Sequence, residues 1–600
     1  MINKLDNLKN STRKLWQEMN TLMGRGAPDS DIRIKDDGVT LDNKTAANRF
    51  NDHFSSIASL LATKFASNSG TGHNNQEVVA VEDSTFNIFE LTSPQEITEI
   101  VKSFSSKKVR RDEIQPAILY LIVPMIAHLL SHLFNGCIAS GVYPDVFKVA
   151  RVIPLYKTGD KAQVENYRPI TTLSIFNKIL EKIIHNRLCN FVETRGILSK
   201  AQFGFRKSSE TGLATFNLVT DLLQAFKNKT HMICMFLDLK KAFDTIDRAI
   251  LIEKLFHYGV RGNFLELIRS YLQGRTQYVT LGDDISRTKN LPLGIIQGSV
   301  LGPLLFNIYI NDIVNLGIQT ILFADDAVFY VESKSLDECV TQVQLFSKRL
   351  SLWLQKNRLT PSESKTRLMH VSPYRKPITM PEILFNDNVL EWVDQIKYLG
   401  IIIDNKLTFK PHVDYVLGKL SAVQGITYAL KKTLPSTCLK IIYYSLAYSY
   451  IIQSLIVWGG TYQTHVQKIA VKMHAITRNI LGVKMGPNYQ PLVPTSVTYK
   501  KLNIMKLEDV HQFYLLKFIL YTSRKNPELY DRYFSSLEPI HDYGTRNPRM
   551  NLPFIRTEVE RHGTVFQCVE ALNKMPLELM NINDPDLFKT RFKKFALSKY

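Results

Sequence analysis

Between about residue 91 and residue 400, short apolar runs rich in β-branched and aromatic residues alternate with amphipathic stretches. That alternation predicts an α+β or α/β unit. Met232-Ile-Cys-Met-Phe-Leu is a continuous apolar run that ends at Asp238, and it reads as a buried strand. A second β-rich run, Ile321-Leu-Phe-Ala-Asp-Asp-Ala-Val-Phe-Tyr330, is interrupted by two acids. Val340, Val343, Phe346, Leu350 and Trp353 recur at spacings of three and four, which predicts a helix with one apolar face. Thr92 or Ser93 followed by Pro94 and Glu96 predicts a helix start. The run from Leu304 predicts a buried helix.

Outside that unit the pattern changes. Residues 1 to about 65 look helical in pieces, and the polar Gly/Asn/Ser stretch 67–78 reads as a linker. Beyond Asp404 strand signals thin out and the chain looks helical with basic patches. The uncharged segment 441–458 carries several Tyr, Ser and Gln residues, so it reads as a buried helix with a polar stripe rather than a membrane span. The expected divisions are 1–90, a helical region and linker; 91–136, a helical lead-in; 137–403, the mixed domain; 404–480, helical; and 481–600, helical and basic.

Composition narrows the class of partner. At 600 residues the chain exceeds what one core usually supports. Lys plus Arg number 75 against 55 Asp plus Glu, a formal net charge of +20. Such an excess favours a polyanionic partner through Coulomb steering and counterion release. The six cysteines are scattered with no CxxC pair, which argues against a disulfide framework and against a zinc finger or knuckle. The N-terminus, MINKLDNLKNSTRKLW, lacks the apolar core of a signal peptide. An intracellular protein, in cytoplasm and nucleus and without a membrane partner, is expected.

The acids are the candidate chemistry, with a strand-end Asp and an unrelated acidic hairpin turn as the alternative that the surrounding residues must decide. Asp238, Asp325 and Asp326 lie inside apolar runs, where a carboxylate without a cationic partner is strongly disfavoured. Two Mg²⁺ ions about 3.5–4 Å apart could hold such a set and stabilise both oxygens of a phosphoryl transfer. Asp244 and Asp247 read as local caps of the next helix. Gly294, Gly298 and Gly302 permit close backbone approach around Gln297, which offers both donor and acceptor.

FLDLKKAFDT, GIIQGSVLGPLLFNIYINDI and LFADDAVF, in that order, resemble palm motifs A, B and C of the reverse transcriptases of non-LTR (LINE-type, jockey-like) retrotransposons. Val152-Ile-Pro-Leu-Tyr-Lys-Thr-Gly-Asp160, Asn166-Tyr-Arg-Pro-Ile170 and Gln202-Phe-Gly-Phe-Arg206 resemble the family's finger motifs. Leu359-Thr-Pro-Ser-Glu-Ser-Lys-Thr366 resembles motif D, and Tyr398-Leu-Gly-Ile-Ile-Ile403 the primer-grip region. The resemblance spans about residues 95–480.

The resemblance implies a right-hand polymerase of fingers, palm and thumb, an α+β fold with helical extensions at both ends. It implies addition of dNTPs to a DNA primer on an RNA template, with two Mg²⁺ ions, or Mn²⁺ in their place. Asp238, Asp325 and Asp326 match the metal ligands, and Lys365 matches a general acid for the leaving pyrophosphate. Lys157 and Arg168 match the triphosphate grip, Phe243 the steric gate against a ribose 2′-OH, and Gln297 the residue beside nucleotide and template. Phe205, Arg206, Tyr398 and Gly400 are the nucleic-acid-binding candidates. Ile296, Phe323, Pro361 and Ser362 depart from the residues usual in the family, and none of these removes a metal ligand. The N-terminal region has neither the length nor the acidic/His motifs of the endonuclease that precedes the polymerase in a complete element. An endonuclease supplied elsewhere and an element ribonucleoprotein are therefore expected partners. Three alternatives remain: an RNA polymerase, which Phe243 disfavours; an intron-type reverse transcriptase; and a catalytically silent nucleic-acid-binding remnant.

Overall fold

The computed structural model describes residues 32–36, 38–66, 90–104, 114, 116–207, 209–374, 379–483, 493–535, 550–555 and 557–600. The expected linker at 67–78 lies outside the described residues. The helix start near residue 93 forms as the sequence predicts: Ser93 accepts the Glu96 N–H, and Pro94 opens the helix Pro94–Ser103.

A central five-stranded sheet carries the candidate acids. Its strands are β3 (His231–Leu237), β5 (Gln319–Phe323), β6 (Asp326–Ser333), β7 (Arg367–Val371) and β8 (Glu391–Trp392), in the order β8-β7-β3-β6-β5. All neighbours are antiparallel except β7 and β8. A second sheet pairs β1 (Val149–Tyr156) antiparallel with β2 (Tyr167–Thr172) and parallel with β4 (Thr276–Leu281). Two further strands, β9 (Gln395–Tyr398) and β10 (Ile401–Asp404), form a separate hairpin.

The continuous apolar run of β3 follows from burial on both faces. Met232, Cys234 and Phe236 enter one core cluster, while Ile233, Met235 and Leu237 enter the other. The second cluster packs helices α2 (Ile175–Thr194), α4 (Gly302–Ile310) and α5 (Leu336–Lys356) against the sheet. The first packs α3 (Thr211–Asn228) there, with α6 (Lys410–Leu430), α7 (Gln463–Leu481) and much of the C-terminal region. Each fully buried Leu, Ile or Phe contributes about 1.5–3 kcal/mol. The two cores together clamp the strands that end at the acids.

α5 realises its predicted stripe, burying Val343, Phe346, Leu350 and Trp353. The segment 441–458 does not form one buried helix. It is divided among a π-helical turn (Tyr443–Tyr448), Ser449–Ile452 and Leu455–Trp458, broken where Ser454 takes φ 47°. Trp458 Nε1 donates to the Gln453 carbonyl at 2.8 Å, which satisfies a group released by the break. Among the described residues one helical stretch, Ile118–Ser140, is long and apolar enough to cross a membrane. One of its faces, with Leu119, Val123, Ala127, Leu130, Phe134 and Ile138, is buried in the protein core.

Phe346 is 1% exposed and its ring lies 4.8 Å from that of Phe329 on β6. Phe346→Ala should lower stability by about 3–5 kcal/mol. Urea unfolding followed by tryptophan fluorescence reads this directly, and an unchanged midpoint would contradict the clamping role.

Candidate active site

The register of β3 and β6 brings the acids together. Ala327 pairs with Leu237. One step further along both strands, Asp326 stands beside Asp238. Asp325 occupies the turn between β5 and β6, where Phe323 pairs with Asp326. Ala324 completes that turn with φ 56°, a left-handed conformation unusual for a residue with a side chain.

Sequence reasoning missed the group that holds this turn. Gln202 is 2% exposed, and its Oε1 accepts the N–H of Gly204 at 2.7 Å and of Ala324 at 3.2 Å. Its segment runs along β5 through Phe203 N–H to Leu322 O and Leu322 N–H to Ala201 O, each 2.8 Å. A Cβ on Gly204 would lie 2.2 Å from the Ala324 nitrogen, so only glycine admits this approach. Asn307 of α4 fixes the same strip by donating to the Gly204 carbonyl at 2.8 Å. The QFGFR motif was visible in the sequence, but the partner of its Gln is distant along the chain.

The loop of 291–302 is pressed onto the turn that follows β3. Gly294 N–H donates to Ile246 O and Ile295 N–H to Phe243 O. Gly298, at φ 98°, sits where a Cβ would meet the Thr171 carbonyl of β2 at 2.9 Å. Arg248 donates to the carbonyls of Gly294, Leu291 and Leu293 at 2.7–3.0 Å. The buried Glu181 of α2 accepts the Val300 N–H at 2.6 Å. Gln297 Nε2 donates to Asp244 Oδ1 at 3.1 Å.

Asp244 is therefore not the helix cap that the sequence predicts. Its carboxyl is pushed up to about 6, first by burial, and it positions Gln297. Asp247 does cap, accepting from Ala249 at 2.8 Å and Ile250 at 3.2 Å.

Cations face the aspartates. Lys365, on an exposed turn, places Nζ 3.5 Å from Asp238 Oδ2. Burial holds the Lys157 ammonium below its ordinary value, followed by the positive charges of Arg168, Lys365 and Lys241. Asp238 opposes that shift, so these groups share one cleft. Lys157 and Arg168 project from the β1–β2 hairpin, where Lys157 N–H donates to Asn166 O at 2.8 Å. Asp325 and Asp326 reach solvent, yet the cleft strips part of their hydration. The Asp325 carboxyl is raised first by that desolvation and then by Asp238. Asp326 is raised to about 6 by desolvation, Asp325 and Asp238.

The oxygen donors fit hard divalent cations, which favour carboxylates and keep substrate phosphates in their shell. The raised carboxyls are themselves a sign that negative charge here lacks enough compensation. Among the described residues no three His, Cys, Asp or Glu side chains enclose a single point, so the set is open rather than a closed cage.

The aromatic candidates separate. Phe243 stacks on Phe306 at 4.6 Å and meets Phe205 edge-on at 6.2 Å. Phe205 is 55% exposed at φ 58°, so one face remains open. The other three nucleic-acid-binding candidates have local partners in the fold. Arg206 is committed to a two-pronged pair with Glu193 and to the Ser199 carbonyl at 2.8 Å. Tyr398 is buried against Phe236, where burial pushes its hydroxyl up, so it is a core residue. Gly400, at φ 92°, closes the β9–β10 turn with Leu399, and a Cβ there would crowd Gln453 Nε2 at 3.0 Å.

Residues 157–403 match the family described as reverse transcriptase (RNA-dependent DNA polymerase), and this segment is a domain of that class. The particular relatives are products of mobile elements. The chain is 28% identical over 440 residues to the probable RNA-directed DNA polymerase from transposon BS of Drosophila melanogaster, covering 69% of this chain and 47% of that protein. It is 26% identical over 403 residues to the RNA-directed DNA polymerase from mobile element jockey of the same species, covering 65% of this chain and 44% of that protein. A 25% identity over 296 residues links it to the Pol polyprotein of type-2 retrotransposable element R2DM, covering 46% of this chain and 27% of the relative. The chain thus spans about half the length of the relatives it matches most extensively.

A carboxyl raised to about 6 in the folded protein ionises less readily there than in the unfolded chain. Its charge therefore destabilises the fold above pH 6, and the penalty fades as pH falls towards the ordinary value near 4. In EDTA, Asp326→Asn should raise the thermal midpoint at pH 7.5 and lose that advantage near pH 4. A midpoint lowered at pH 7.5 would contradict the crowding of the three carboxylates.

Proposed function

We propose that this chain is an RNA-directed DNA polymerase of a non-LTR retroelement, extending a DNA primer with dNTPs on an RNA template. The observation that carries the reading is the β3–β6 register, which sets Asp326 beside Asp238 with Asp325 on the adjoining turn. The central sheet serves as the palm, the β1–β2 hairpin belongs to the fingers, and the helices from Lys410 onward supply the thumb. The divisions at 91–136, 137–403, 404–480 and 481–600 follow that layout, and 1–90 precedes it.

Asp238, Asp325 and Asp326 would hold two Mg²⁺ ions, or Mn²⁺, which lower the pKa of the primer 3′-OH and neutralise charge on the leaving phosphates. Arg168 has the planar fork that grips phosphate oxygens bidentately, and Lys157 adds a point charge. Both project from one hairpin towards the acids, so they set the triphosphate in line with the primer end. Lys365 sits beside Asp238 and would return a proton to the pyrophosphate. Phe243 is held by Phe306 and Phe205 and cannot yield easily to a ribose 2′-OH. Gln297, oriented by Asp244, lines the nucleotide site from below. The exposed ring of Phe205 supplies a face on which a template base can stack.

Base pairing sets the order of nucleotides, and the element RNA completes the working particle in the cytoplasm and nucleus. The reading rejects a silent binding remnant, because decay would not preserve the acids and the supports of their turn together.

Primer extension on poly(rA)/oligo(dT) with Mg²⁺ is the direct test. The parent chain should extend and Asp325→Ala should lose at least about a thousandfold, in line with removal of a principal electrostatic stabiliser. Tight binding without extension by the parent would establish the remnant instead. Phe243→Ala should keep dNTP incorporation and gain rNTP incorporation, read as the ratio of kcat/KM values. An unchanged ratio would return Phe243 to a packing role.

A further inference from the structure

The C-terminal helix presents two unlike faces. In α10 (Pro585–Ser598), Phe588, Phe592 and Ala596 are fully buried. Phe513 of α9 (Leu507–Lys517) lies 5.9 Å from the Phe588 ring and 5.6 Å from the Phe592 ring. Asp584 caps the helix start by accepting the Asp586 N–H at 3.0 Å. At the other end the Tyr600 hydroxyl accepts the Lys506 N–H at 2.7 Å and is bonded to Asp509. The helix is held at both ends and along one stripe.

The neighbouring stripe does not serve that docking. Lys589, Lys593 and Lys594 line an open groove of about 790 Å³, closed on its far side by Lys500 and Asn503 at the end of α8 (Thr495–Leu502). Lys440, from Ser436–Ile442, acts on the same region: the Lys593 ammonium is held down first by burial and then by the fields of Lys440 and Lys589. Lys500 Nζ donates to the Tyr600 main-chain oxygen at 3.3 Å, while Lys440, Lys589, Lys593 and Lys594 make no ion pair among the described residues, and Asp586 is the acid that lines the groove. Lys589 and Lys593 stand four apart on one helix, where like charges destabilise it. Folding alone gives no reason to gather them, whereas a polyanion does.

The remaining liners narrow the choice of polyanion. No aromatic ring lines the groove, so bases are not offered a stacking surface and contacts fall on a backbone. The hydroxyls of Thr590 and Ser598 donate to the carbonyls of Asp586 and Phe595, which leaves their lone pairs free. Acceptors set among lysines suit a group that donates beside a phosphate, which is the ribose 2′-OH. We propose that the groove between α10 and α8 binds the sugar-phosphate backbone of an RNA strand, independently of sequence and apart from the candidate catalytic cleft.

The test uses the full chain with a fluorescent single-stranded 20-mer of rA, its dA counterpart, and vesicles of phosphatidylserine and phosphatidylcholine. Lysine acetylation mapped by mass spectrometry should show Lys440, Lys500, Lys589, Lys593 and Lys594 protected by rA. Lys589→Glu with Lys593→Glu should weaken rA binding about tenfold or more and flatten the salt dependence by about 1.4 in log–log slope, the value for two phosphate contacts on a single strand. Lys589→Gln with Lys593→Gln gives the same direction should the acidic pair misfold, with circular dichroism as the check. Unchanged affinity and no protection in the parent would overturn the site. Equal protection by dA would overturn the assignment to RNA. Protection by vesicles but not by rA would make the groove a lipid surface and also overturn it.

Discussion

Three carboxylates meeting at the ends of two paired strands are a repulsive arrangement, and the surrounding structure is organised around that repulsion. Asp325 is raised by desolvation and Asp238, and Asp326 by desolvation, Asp325 and Asp238. The fold tolerates them because the opposite wall of the cleft is cationic, with Lys157, Arg168 and Lys365 close enough to be felt. Each side of the cleft is therefore unsatisfied without the other. Under the proposed function, divalent cations and a triphosphate would supply the counter-charges that the protein alone leaves incomplete.

Holding such a set in place requires rigid supports. The β3–β6 pairing supplies the first, sealed by apolar cores on both faces. Gln202 supplies the second by accepting the N–H of a left-handed Ala324, and Gly204 lets its own backbone lie against that turn. The third is the glycine-bearing loop 291–302, tied down by Arg248 and Glu181 and linked through Gln297 to Asp244. Leaving a buried donor unpaired costs about 1–3 kcal/mol, so a single Gln with two acceptances is a substantial part of this support.

Much of this was legible in the sequence where the signal is local. The Ser93 cap, the α5 stripe and the buried β3 run each follow from residues within a few positions of one another. The resemblance to a known family marked the aspartates through the order of the motifs that carry them. What escaped depends on partners far apart in the chain. The Glu193 partner of Arg206 and the packing of Tyr398 against Phe236 are contacts that no local pattern announces. Asp244 precedes a helix closely enough to suggest a cap, yet its partner is Gln297 on another loop. The uncharged stretch 441–458 likewise gave no local sign of the break at Ser454.

The central claim is that Asp238, Asp325 and Asp326 hold divalent cations beside a bound nucleotide. Fe²⁺-generated hydroxyl-radical cleavage of the chain, in the presence of primer–template and dNTP, tests it most directly. Cuts should map near residues 238 and 325–326 and fade as excess Mg²⁺ competes. Cleavage confined to other segments, or cuts at these positions that Mg²⁺ leaves unchanged, would contradict the account.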